Sequence, residues 1–245
     1  MKEVVSKTLF RLSPLMLIAV VALLRLASAQ AAAGDVVLYA SEAAARVGNW
    51  SVVADSTAAG GARLANADLG ASKLSAPLAV PASYFEMSFN AQSGTAYRLW
   101  IRGKAQGDSP YNDSVYVQFD GSVTNTGTPV YRIGTTDGTC INIEDDLNRG
   151  LSGWGWQDNG WGAGVMGPLI YFANTGTQTL RIQPREDGLS IDQIVLSPAT
   201  YLNASPGLLK NDTTILPKSG GGTSNPPPGV TVVSPNNGPD RKSVV

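Results

Sequence analysis

Residues 95–103 read TAYRLWIRG, with Tyr97, Leu99 and Ile101 on one side of an extended chain and Arg98, Trp100 and Arg102 on the other. Successive side chains of a strand point to opposite faces, so this period of two predicts a half-buried strand. The alternation continues in both directions. Upstream, residues 83–91 (SYFEMSFNA) set Phe85, Met87 and Phe89 against Glu86 and Ser88. Downstream, residues 113–120 (DSVYVQFD) bring Val115, Val117 and Phe119 to one side. Further strands are expected at 36–40, 51–54, 74–79, 169–173, 179–183 and 190–197. In the last, Ile191, Ile194, Val195 and Leu196 fill both faces, which predicts an interior strand or a bulge. Turn-forming Gly, Asn, Asp and Ser clusters separate these runs, at 93–94, 108–113, 120–121, 174–176 and 186–188. Many short strands with turns between them predict an all-β fold, a sandwich or barrel, over residues 30–202. Residues 135–167 carry few strand signals, and a loop of that length is usually functional or irregular.

The ends read differently. Lys2, Lys7 and Arg11 precede an apolar run at 15–24 (LMLIAVVALL), and Ala27-Ser28-Ala29 supplies small residues. This predicts a signal peptide over 1–29, because the run is about half of the ~20 residues a spanning helix needs. That segment carries four basic residues and one acid, so its removal takes the formal net charge from −1 to −4. Residues 203–228 read as an irregular segment followed by a Gly/Pro-rich linker (SGGGTSNPPP from 219). Residues 229–245 read as the truncated start of a following domain. The expectation is a secreted, extracellular protein of bacterial type with no membrane attachment after cleavage. Its single cysteine, Cys140, leaves no internal disulfide.

Composition narrows the chemistry. The chain has no histidine, which removes Ser-His-Asp and Cys-His catalysis and histidine-ligated zinc. A mildly acidic chain without a Lys/Arg cluster is not expected to bind nucleic acid. The densest aromatic-polar cluster is residues 153–162 (GWGWQDNGWG), with Trp154, Trp156 and Trp161 among Gln157, Asp158 and Asn159. Tryptophans on a glycine-rich loop must pack inward or meet a partner, and the C–H face of a sugar ring is such a partner. Trp154 is expected to plug the sandwich, and Trp156 or Trp161 to stack a sugar. Tyr111, Asn112 and Asp113 offer an aromatic, an amide and a carboxylate, or an Asx turn. Glu186 and Asp187 sit in the final turn before Gly188. Asp192, between isoleucines, needs a partner, either backbone N–H groups or a cation.

Taken in order, residues 39–50 (YASEAAARVGNW), 97–102 (YRLWIR), 112–121 (NDSVYVQFDG), the Trp-bearing loop and 176–197 (GTQTLRIQPREDGLSIDQIVLS) resemble the carbohydrate-binding modules of families six and thirty-five. That resemblance implies a galactose-binding-like β-jelly roll and non-catalytic binding of a glycan or polysaccharide, in a protein with further domains. It implies a ligand site at one end of the sandwich, using the Trp154/Trp156 region, Tyr111, Asn112, Asp113, Glu186 and Asp187; Asp158 is expected, from the residues themselves, to bond sugar hydroxyls beside them. It also implies a structural calcium held by an N-terminal acidic motif and the last strand, here Glu42 and Asp192. The family's E-x-E motif has alanine at its second acidic position in this chain, Ala44. Two other functions fit the same sequence. A structural or adhesive spacer would bury the tryptophans; a glycoside hydrolase would hold two carboxylates roughly 5–10 Å apart across a cleft.

Overall fold

The computed structural model describes residues 34–144, 151–162 and 164–219. The expected signal peptide, nearly all of the linker and the following-domain segment lie outside the described residues. The strands are β1 (Val36–Tyr39), β2 (Ala45–Val47), β3 (Trp50–Ala54), β4 (Ala62–Asn66), β5 (Tyr84–Ala91), β6 (Arg98–Ala105) and β7 (Ser114–Phe119). They continue as β8 (Ser122–Val123), β9 (Thr139–Asn142), β10 (Gly155–Asp158), β11 (Tyr171–Phe172), β12 (Gly176–Pro184) and β13 (Leu189–Ser197).

Two antiparallel sheets stack as a β-sandwich, one of the two architectures the alternation predicts. The first runs β10–β6–β13–β4–β3, with β1 also on β13. The second runs β2–β5–β12–β7–β9. The core between them joins Leu99 and Ile101 of β6 and Ile191, Ile194 and Leu196 of β13 to Phe85 and Phe89 of β5. It takes in Leu180 and Ile182 of β12 and Val115, Val117 and Phe119 of β7. Phe172 closes part of this core, meeting Phe89, Tyr97 and Phe119 edge-on at 5.5–5.7 Å. Such T-shaped contacts set the positive edge of one ring against the negative face of another.

The outer face of the first sheet differs from the sequence expectation of a half-buried β6. Arg98, Trp100 and Arg102, opposite the core, are buried too. The cover is the segment 198–219, which contains no strand but packs along this face. Trp100, Trp156, Val37, Val195 and Leu216 form a second apolar cluster beneath it. The Gln193 side chain bonds both backbone groups of Leu216, at 2.8 and 3.0 Å, much as a neighbouring strand would. The backbone N–H of Trp156 donates to Leu208 and the Trp100 indole to Tyr201. Strand β13 is buried along its whole length and is bulged between Ile191 and Gln193, so both readings of its irregular pattern hold.

Two other expectations change. Residues 74–79 are not a strand, because Pro77 interrupts any ladder; they lie across the second sheet, with Leu74 bonded to Arg185 and Leu78 to Gln183. The 135–167 stretch holds two short strands, β9 and β10, which close the edges of the two sheets.

Candidate functional site

Residues 67–83, 106–113, 143–144, 151–154 and the 185–188 turn meet at one end of the sandwich, and they are tied to one another. Asp187 accepts the backbone N–H groups of Leu69 and Ala71 at 2.7 and 3.0 Å. The Asn112 amide donates to Asp68 and to the Gln106 carbonyl. Asp108 accepts the Gly153 N–H, and the Asp113 carbonyl accepts the Ile143 N–H. Gly188 has φ +91°, and a Cβ there would stand 2.6 Å from Asn112, so the last turn requires glycine.

Beside this knot is a cavity of about 410 Å³ lined by Lys73, Asn142, Glu144, Asn159, Trp161 and Arg185, with Cys140 and Gly160. On β9 the alternation sends Ile141 to the core and Cys140 and Asn142 outward. Trp161 stands on the turn after β10. Asp158 folds that turn by accepting the N–H groups of Gly160 (2.8 Å) and Gly167 (3.0 Å), and Arg98 braces it at 3.2 Å from below. The Trp161 ring is 50% exposed; the other four tryptophans are buried.

Lys73 pairs with Glu186 at 2.8 Å, and Arg185 donates to Ser114 at 2.8 Å. Glu186 also accepts the Ser114 hydroxyl at 2.5 Å. Burial, then the bond and charge of Glu186 and the charge of Glu144, push the Asp113 carboxyl up to about 8. Burial also opposes charge on Glu186, but bonds from Asp113, Lys73 and Ser114 outweigh it and hold its carboxyl below the ordinary value. Burial pushes the Cys140 thiol up to about 11, so it is not a nucleophile at neutral pH.

Of the nine residues expected to touch ligand, Trp161 is the one that lines this cavity. Tyr111 is 78% exposed but lies outside the cavity wall. Trp156 is a correction: it is 0% exposed, because pairing of β10 with β6 sets it opposite Arg102 under the 198–219 segment. Trp154 is buried, as expected of a plug; its indole donates to Thr57, and Arg102 lies over its ring at 4.9 Å. Asn112, Asp113, Asp158, Glu186 and Asp187 are buried as well, and the side chains of Asn112, Asp158, Glu186 and Asp187 bond other parts of the protein. They position the loops. Arg185 and Asn159 are immediate sequence neighbours of expected residues, whereas Lys73, Asn142 and Glu144 carry no local motif that marks them.

The residues expected to hold calcium do not fit a cation. Glu42 pairs with Lys218. Asp192 is fully buried against Arg102 at 2.5 Å and accepts the Ala59 N–H at 2.7 Å, the backbone alternative read from the sequence. The Asp192 carboxylate is thus already paired with a guanidinium. Among the described residues, no group of three or more His, Cys, Asp or Glu is placed to hold a metal.

No family model matches the chain, and no curated protein matches it. Solved structures similar to it include the Podospora anserina GH26-CBM35 β-(1,4)-mannanase, at 15% identity and TM-score 0.42 over 68% of this chain and 28% of that one. The C-terminal CBM6 of the Zobellia galactanivorans laminarinase LamC aligns at 12% identity and TM-score 0.40, over 67% and 99%. A family 35 carbohydrate-binding module from Clostridium thermocellum aligns at 13% identity and TM-score 0.35, over 66% and 97%.

Proposed function

We propose that this chain is a non-catalytic glycan-binding module of a secreted protein and that a sugar ring sits in the Trp161 cavity. One observation carries the proposal: a half-exposed indole on the wall of a cavity whose other walls are amide, carboxylate and cationic side chains. The indole offers a flat surface to the C–H face of a pyranose. Asn142 and Asn159 both donate and accept, Glu144 accepts, and Lys73 and Arg185 donate, which suits the hydroxyls of a polyol. The volume falls within the ~300–1,000 Å³ of small-molecule sites. The sequence resemblance to carbohydrate-binding modules points the same way, and the charge and signal-like N-terminus agree with secretion.

The carboxylates support the non-catalytic part. A glycosidase pair flanks a cleft at roughly 5–10 Å. Here Glu186 is held by Lys73 and Ser114 outside the cavity lining, while Asp158 is enclosed by Arg98 and two glycine N–H groups. A spacer is the second reading, favoured by the burial of Trp154 and Trp156.

Pull-down of the full chain with β-1,4-mannan, β-1,3-galactan and laminarin separates the two. Glycan binding predicts retention on at least one polymer and about tenfold weaker retention of Trp161→Ala, the scale of one lost stacking contact. No retention of well-folded protein on any of the three, or equal retention of the variant, supports the spacer.

A further inference from the structure

On the outer face of the first sheet, another cavity of about 380 Å³ has two cations in its walls, Arg63 and Lys104, and no carboxylate. No residue of the 198–219 cover lines it. Its floor follows from strand register. Leu64, Ile101 and Ile191 point into the core, so Arg63, Ala65, Lys104 and Ser190 point outward. Lys104 on β6 stands opposite Ser190 on β13, Ser190 opposite Ala65 on β4, and Ala65 opposite Ser51 on β3. Arg63 lies one step along the same face, opposite Val53. The middle of the floor is therefore made of small side chains between two long cationic ones. With strands ~4.8 Å apart, β6 and β4 are ~10 Å apart across β13, a gap that both side chains can close on from either side.

Neither cation is fully partnered. Among the described residues Lys104 makes no ion pair; its neighbour is the Trp154 ring at 5.9 Å, the outer limit of a cation–π contact. Arg63 donates to Asp55 through Nη1 at 2.6 Å. Its Nε–H is buried without an acceptor, and a buried charged donor left unpaired is costly. The other Asp55 oxygen is committed to the Thr57 N–H and hydroxyl. An oxyanion offers acceptors only, which a guanidinium fork meets two at a time and an ammonium meets as a point charge. The Ser51 and Ser190 hydroxyls on the floor can donate as well. We propose that this trough is an oxyanion site that takes a sulfate ester or carboxylate group of an acidic polysaccharide. That the anion arrives on a sugar chain rests on the glycan reading above. The site itself does not, and it shares no lining residue with the Trp161 cavity.

The first test follows the backbone amide ¹H–¹⁵N signals of the full chain during titration with sodium sulfate, with ionic strength held constant by sodium chloride. The expected result is a saturable shift at Ala65, Lys104 and Ser190. The affinity should weaken about fivefold in Lys104→Gln, the scale of one solvent-exposed ionic contact, and be largely restored in Lys104→Arg. No saturable shift at these residues, or the same affinity in Lys104→Gln, overturns the site. Replacing Lys104 breaks no ion pair, and the titration of the unaltered chain does not depend on any variant folding.

Dextran, dextran sulfate and carboxymethyl dextran share one backbone and separate the sources of the anion. The full chain should be retained on a charged polymer above its retention on plain dextran, and added salt should remove the difference. Lys104→Gln should weaken that retention and Trp161→Ala should not. Sulfate binding without retention on either charged polymer overturns the polysaccharide as the source and leaves a site for a small free anion. Retention that Trp161→Ala abolishes and Lys104→Gln spares puts the anion in the Trp161 cavity and overturns the trough. Mannan, galactan and laminarin are uncharged, so their pull-down judges the glycan reading separately.

Discussion

Arg102 lies fully buried between two carboxylates, Asp192 at 2.5 Å and Asp212 at 2.9 Å, with its other N–H groups on the carbonyls of Thr57 and Asp212. Replacing Asp212 leaves the Arg102 Nε–H and the backbone N–H groups of Leu208 and Thr214 without their acceptor, at about 1–3 kcal/mol for each donor that stays buried. Asp212→Ala should therefore lower the urea midpoint with little change in slope. Trp156→Ala should lose about 3–5 kcal/mol, since it empties a fully enclosed site. Trp161→Ala should stay within about 0.5 kcal/mol, as at most surface positions. Thermal or urea melts of the three variants check this ranking, and a Trp161→Ala as damaging as Trp156→Ala would refute the assignment of the two rings. At this scale the sequence was partly legible. The need of Asp192 for a partner could be read from its apolar neighbours, but the partner, Arg102, is 90 residues away. The three tryptophans of 153–162 share one local composition. Which of them is core depends on the register of β10 against β6, and no residue in that stretch reports it.

The segment 198–219 determines how the first sheet behaves. A chain that ends after residue 202 would uncover Trp100, Trp156 and Val195 and leave Arg102 without Asp212. Such a chain should aggregate or lose cooperative unfolding, whereas one ending after residue 219 should melt as the full chain does; size-exclusion chromatography and calorimetry would show the difference. Close approaches explain why small residues line this contact. A Cβ at Gly155 would stand 2.0 Å from the Leu209 carbonyl oxygen, and one at Gly207 would stand 2.7 Å from the Trp156 ring. The long strands β5, β6 and β7 were legible because alternation sustained over six or more residues fits a strand and neither a helix nor a loop. Strands β8, β9, β10 and β11 have two to four residues each, too few to establish a period, and neighbours distant in sequence create them. Residues 74–79 show the reverse error: strand-like composition without a ladder, because Pro77 cannot donate to one.

For the molecule as a whole, the displaced carboxyl groups set how stability varies with pH. Asp113 is raised to about 8, and burial raises Asp192 as well, against the pull of Arg102. Native Asp113 thus keeps a proton that the unfolded chain gives up near pH 4. The unfolded state binds fewer protons across that interval, so stability falls as pH rises from about 4 to about 8. Asp55 and Glu186 act oppositely. Burial works against charge on Asp55, but bonds from Thr57 and Arg63 bring it to about 2, so its contribution is present above pH 4 and lost toward pH 2. Glu186, also lowered, adds to that acid-side loss. The melting temperature should peak near pH 4–5 and decline toward pH 8, and Asp113→Asn should flatten the decline; melts from pH 3 to 9 would reveal either behaviour. The sandwich was legible from its alternation, but the cavity was not. Its walls come from loops 67–83, 143–144 and 159–161, from β9 and from Arg185, brought together by the fold alone.

Whether Trp161 is the ring that meets ligand can be decided by indole ¹H–¹⁵N NMR, during titration of the full chain with mannan, galactan or laminarin fragments. A bound fragment should shift the Trp161 signal, identified by its loss in Trp161→Phe, and leave the four buried indoles nearly unmoved. Binding that moves Trp154 or Trp156 while Trp161 stays fixed, or no shift with any of the three, would contradict that role.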